Sequence, residues 1–167
     1  DLFNMKKYFL LVLATMSFIF ISHKTSSHCE VPCGIYDDEL RVELIYEHIS
    51  TIEKAIKQIE ELEKEIPVNY NQMIRWVNTK EEHATKIQDI VNQYFMTQRV
   101  KAVDGSDQFA YDKYIAQLTS LHQLLVYAMK SKQSLDLKNV AKLMELTAVF
   151  EHSYFGEHRH DKEGEHK

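Results

Sequence analysis

Glycine and proline are scarce, with four Gly and two Pro among 167 residues. So few turn formers and helix breakers favour long helices, and no apolar–polar alternation of useful length argues for a strand. Basic residues form no block. The 20 Lys and Arg stand against 25 Asp and Glu, for a net charge of −5 with neutral histidines. Nucleic-acid binding depends on Lys and Arg displacing counterions, so that class of partner is disfavoured. No HExxH, GxSxG or phosphate-cradling glycine loop occurs, and the chemistry each carries is absent with it. Cysteine appears only twice, at Cys29 and Cys33.

Long apolar runs are also missing except for one, residues 8–21. A bilayer span needs roughly 20 apolar residues, so this run is too short to cross. Lys6 and Lys7 precede it and the polar "SHKTSS" follows, which is the order of a secretory signal peptide. Residues 1–4 lie upstream of Met5, the first plausible initiator, and read as an artefact of the start. Signal peptidase needs small side chains at the third and first positions before its cut. Thr25 and Ser27 supply them for a cut between Ser27 and His28. Residues 1–27 are therefore expected to be a removed leader, with the mature chain exported to the periplasm or outside the cell and not embedded in a membrane. Taking 27 residues from 167 leaves 140, one domain's worth, with a net charge of about −7.

The mature chain reads as four helices. Ile45, Ile49, Ile52, Ile56 and Ile59 step by four and three along one face of a helix over 37–65, which Pro67 ends. A second helix over about 69–100 carries Ile74, Val77, Ala84, Ile87, Val91 and Tyr94, flanked by Trp76. After the turn at Asp104–Gly105, Ser106 is a candidate cap for a third helix with Tyr114, Leu118, Leu121, Leu125 and Ala128. Ser134 is the candidate cap for a fourth, with Leu137, Val140, Met144 and Ala148. Short connections make this an all-α, antiparallel up-and-down four-helix bundle over 37–154. Residues 155–167, rich in His and charge, read as a solvated, mobile tail.

Bundles often hold metals between facing helices. Di-iron bundles take a Glu-x-x-His pair from each of two core helices. Here His48, His83 and His122 are preceded at the third position by Ile45, Lys80 and Thr119. The motif occurs only as Glu157 with His160 and Glu163 with His166, in the tail, and the three helical histidines read as surface or half-buried side chains.

Chemistry then centres on "HCEVPCGIY", residues 28–36. In an oxidising compartment Cys29 and Cys33 can simply form a small disulfide loop. A cut before His28 opens another possibility, because that residue then carries a free α-amine beside its imidazole. Amine, Cys29 amide and Cys29 thiolate can close two small chelate rings, and Cys33 returns a second thiolate after a turn stiffened by Pro32 and eased by Gly34. Two nitrogens and two sulfurs in a plane, with the imidazole left for an axial position, suit Ni(II) or Cu(II). Zinc wants more side-chain ligands than one His and two Cys provide.

His28-Cys29-x-x-Pro32-Cys33-Gly34-x-Tyr36 resembles the N-terminal nickel hook of nickel-containing superoxide dismutase. The resemblance implies nickel, one ion per subunit, bound by His28, Cys29 and Cys33, with Tyr36 beside the open face to order superoxide or water. It also implies a homohexamer of four-helix bundles, a maturation protease that exposes His28, and Ni(II)/Ni(III) cycling. Glu43, early in the first helix, is the candidate to orient the His28 imidazole. His83 falls where some members of the family have an arginine. The other reading is an exported helical interaction or metal-carrying protein with a Cys29–Cys33 disulfide.

Overall fold

Isoleucine decides the first helix. Helix α1 (Asp38–Leu62) buries Ile45, Ile49, Ile52, Ile56 and Ile59 on the face that the four-three spacing predicts. Each such side chain contributes about 1.5–3 kcal/mol by leaving water. Asp37 caps the helix, its carboxylate accepting from the Leu40 N–H at 3.0 Å, and Asp38 and Glu39 place negative charge at the positive end of the helix dipole. These coordinates come from a computed structural model in which residues 32–156 are described. The expected leader, His28, Cys29 and the tail from 157 onward lie outside the described residues.

Helix α2 (Tyr70–Asp89) starts at the Asn69 cap, which accepts from the Gln72 N–H at 3.2 Å. Its apolar stripe begins later than the sequence suggests. Ile74 is 59% exposed, Val77 and Trp76 are half-buried, and the buried series runs from Lys80 through Ala84 and Ile87. Lys80 is buried because its ammonium donates to the backbone carbonyls of Ser131 and Lys132, at 2.8 and 2.5 Å. A cation at the negative end of another helix is the favourable placement.

The second helix does not stay α-helical to residue 100. Over Ile90–Arg99 it widens into a π-helix, with Val91, Tyr94 and Phe95 buried. Helix α3 (Gln108–Gln133) follows. Asp107, not Ser106, caps it by accepting from the Phe109 and Ala110 N–H groups, while Ser106 is taken up by Asp104. Its buried face includes Gln117, Leu121, Leu124 and Ala128, so Leu121 and Ala128 of the expected stripe are buried, whereas Tyr114, Leu118 and Leu125 are only half-buried.

Ser134 ends α3, and Asp136 caps helix α4 (Leu137–Phe155) through the Lys138 N–H. The stripe of α4 is Val140, Leu143, Leu146, Thr147 and Phe150, whereas Met144 and Ala148 face outward. The helix extends one residue into the expected tail: Phe155 is its last residue and packs edge-on to Tyr154. Each helix packs on its neighbours in sequence and α1 closes on α4, so the molecule is an up-and-down four-helix bundle. No strand occurs among the described residues, and among them no helix is long and apolar enough to cross a membrane.

Candidate metal centre

The described part of the hook enters the bundle at the N-terminus of α1. Pro32, Cys33 and Gly34 form a bend and residues 35–37 are irregular. Gly34 has φ +78°, a left-handed conformation that a side chain would strain, and among the described residues an added Cβ would meet nothing within 4 Å. The bend is thus open, and the Cys33 thiol is exposed.

Tyr36 marks where this open segment meets packed structure. It is 42% exposed, and its ring stands edge-on to Tyr94, centroids 5.9 Å apart. The Arg99 guanidinium lies over its face, 4.3 Å from the centroid. Beneath it the end of the bundle is aromatic: Phe95 contacts Tyr94, Phe150 and Tyr154 at 5.1, 4.8 and 5.6 Å. The Arg41 guanidinium also lies over the Tyr94 ring, 5.1 Å from its centroid. Arg41 Nε is buried without a hydrogen-bond partner among the described residues.

Asp38 organises this end. Arg99 Nε donates to both carboxylate oxygens at 2.8 and 3.1 Å, and a terminal nitrogen of Arg99 donates to Oδ2 at 2.7 Å. The Tyr94 hydroxyl donates to Oδ1 at 2.6 Å and the Tyr154 hydroxyl to Oδ2 at 2.8 Å. Burial alone pushes the Asp38 carboxyl up. The hydrogen bonds from Arg99, Tyr94 and Tyr154, with the charge of Arg99, more than offset it and hold the group below the usual carboxylate range. Burial and then the Asp38 carboxylate push both phenols up to about 12.

The π-helix is what brings Tyr94 and Arg99 to one carboxylate. Five residues apart on an α-helix, they would point about 140° away from each other. The π-helix bonds i to i+5, so such residues stack on one side. Val100 N–H donating to the Phe95 carbonyl at 2.8 Å shows that register. Thr97 and Gln98 side chains also reach carbonyls five residues back.

Of the three helical histidines, expected at the surface or half-buried, only His48 departs. His122 is exposed, but His48 is only 8% exposed and half-buried His83 meets it, Nδ1 to Nδ1, at 3.2 Å. One imidazole must donate and the other accept, so the two take opposite tautomers. Burial, reinforced by nearby positive charge, holds both below the ordinary histidine value. Glu43 is on the exposed side of α1. Among the described residues, no three His, Cys, Asp or Glu side chains are grouped to hold a metal.

The family model for nickel-containing superoxide dismutase matches residues 23–158, which takes in the whole HCxxPCGxY pattern and all four helices. The chain belongs to that family. No curated protein and no solved structure matches it. As a nickel superoxide dismutase it is an oxidoreductase with nickel as cofactor and superoxide as substrate. Cys33 fits that cofactor: thiolate is a soft ligand suited to nickel, it is exposed, and Gly34 leaves room around it.

Sequence reasoning proposes Cys33 from its spacing and Tyr36 from the family resemblance, and it does not single out the grouping of Asp38, Tyr94, Arg99 and Tyr154. Their relation is between elements, and only the doubled acid "DD" after Tyr36, one Asp for the cap and one to spare, hints at it.

Proposed function

We propose that His28, Cys29 and Cys33 hold the nickel of this superoxide dismutase and that Tyr36 orders substrate or water beside it. One observation carries the reading: the complete hook pattern lies inside the matched family span, and its last member, Tyr36, is seated on the bundle between Tyr94 and Arg99. Nickel supplies one-electron exchange between Ni(II) and Ni(III). Over a full cycle one superoxide is oxidised to O2, a second is reduced, and two protons complete H2O2. The chain's own groups have separate tasks. Amine and imidazole of His28, amide and thiolate of Cys29 and thiolate of Cys33 would hold the metal, and the anionic donors would favour its higher oxidation state. The Tyr36 hydroxyl hydrogen-bonds the diatomic or a water, and Glu43 orients the His28 imidazole.

The amine can be a ligand only if His28 is the first residue, so a maturation protease belongs to the reading, with 28–36 as hook, 37–154 as bundle and 155–167 as tail. The basic, apolar and small-residue segments before His28 support removal of 1–27 and export. Resemblance to the family supports a homohexamer, to be checked by light scattering.

Adding one residue before His28 tests the ligand set. Superoxide consumption should be abolished while helical circular dichroism stays unchanged, and Cys33→Ser should lose both activity and stoichiometric nickel. Full activity in the extended chain would falsify the assignment of the amine.

A further inference from the structure

We infer that Arg99 is a positioning residue for Tyr36, clamped by Asp38 so that its guanidinium plane holds the Tyr36 ring at the base of the hook. The inference rests on the reading that Tyr36 stands beside the reacting centre. Tyr36 comes just before the α1 cap, is 42% exposed, and leads into an open glycine bend. A phenol there needs something to fix it. Two rings or planes touch it, the edge of Tyr94 and the face of Arg99.

Arg99 can act as a fixed wall because all its freedom is spent on Asp38. The Nε–H, shared between both oxygens of Asp38, and one terminal N–H hold the guanidinium, and the planar fork can stack on an aromatic face while bonding through its edge. Lysine has a point charge and cannot do both. Asp38 is itself held by the Tyr94 and Tyr154 hydroxyls and lies two residues from Tyr36. The wall and the ring it supports are therefore tied to the same turn of chain. The π-helical register, rare and often found at functional sites, is what delivers Arg99 to this place. A plain structural ion pair between α1 and the π-helix would need neither the tyrosine face nor this register.

The test is a double-mutant cycle in the nickel-loaded enzyme, with Arg99→Leu, Tyr36→Leu and the pair, and with nickel content and circular dichroism checked for each. Arg99→Leu should lower kcat/KM by about tenfold, since small misplacements of a reacting-site group are costly. Added to Tyr36→Leu, it should cost less than about twofold. Arg99→Lys, which keeps a charge on Asp38 and serves if the leucine variant does not fold, should also lose activity. In the nickel-free full chain carrying 13C-labelled tyrosine, the Tyr36 ring signal should move towards that of a solvated tyrosine in either Arg99 variant.

An equal loss from Arg99→Leu in both backgrounds, or an unmoved Tyr36 signal, overturns the inference. Full activity of Tyr36→Leu alone instead overturns the reading of Tyr36 on which the inference rests. The labelled-tyrosine arm tells these failures apart.

Discussion

Asp38 and His48 stand ten residues apart on α1, both titratable and both turned towards neighbouring helices, yet the fold forces them into opposite states. Asp38 meets only donors, one guanidinium and two hydroxyls, and stays charged although it is partly buried. Burial first, then the second imidazole it meets and nearby Lys86, hold His48 below its ordinary value and favour the neutral form, although Glu47 and Glu82 pull the other way. Burial opposes charge at both places. At His48 burial prevails, and at Asp38 the donors it faces together outweigh burial, so the balance of the two decides which form the bundle stabilises.

Removing the organiser at the charged end should have the largest effect. Asp38→Ala leaves a half-buried guanidinium and two hydroxyls without their acceptor, and should cost about 3 kcal/mol in urea denaturation at pH 7. A loss no larger than that of an exposed surface pair would break the contrast. Tyr154→Phe should cost about 2 kcal/mol, the worth of one hydrogen bond to a charged group.

The pH dependence of that second variant sharpens the comparison. A folded-state phenol at about 12, against 10 unfolded, gives stability that is present below pH 10 and disappears as pH rises towards 12. Melting curves of Tyr154→Phe should fall less steeply over that range than those of the parent chain.

The smallest effect belongs to the histidines. Their folded values are lowered, so the unfolded chain binds protons first: the contribution is present above about pH 6.5 and is lost as pH falls. His83→Gln should cost under about 1 kcal/mol at pH 8. The gap to the parent should narrow as pH falls below about 6.5, the ordinary histidine value. A gap that widened on acidification would mean that the pair is stabilised by sharing a proton.

How much of this was legible beforehand depended on the range of the signal. The five isoleucines of α1 announce their own face because nothing interrupts their spacing, and the family is legible because its hook pattern lies within nine residues of sequence. Ile74 misleads because α2 begins before it reaches the core, so a hydrophobic residue at the right interval has no neighbour to pack on. Ser106 and Ser134 are reasonable caps, but Asp107 and Asp136, one and two residues on, do the capping with carboxylates. The α3 stripe shifts because Gln117 and Ser120 occupy the buried face, Gln117 donating to the Ser153 carbonyl and Ser120 to the Ala116 carbonyl. The π-helix leaves no spacing signal, since Tyr94 and Arg99 meet at a carboxylate on another helix, a relation that periodicity within the segment does not carry.

Lys80 has a consequence for following this bundle in solution. Its ammonium has three N–H groups and three acceptors around it, the carbonyls of Ser131 and Lys132 and the Glu81 carboxylate, at 3% exposure. Amine-directed reagents acylate lysines that can lend them a free lone pair. Lys80 should therefore be the slowest lysine to label, and its labelling rate measures how often α2 lifts away from the end of α3.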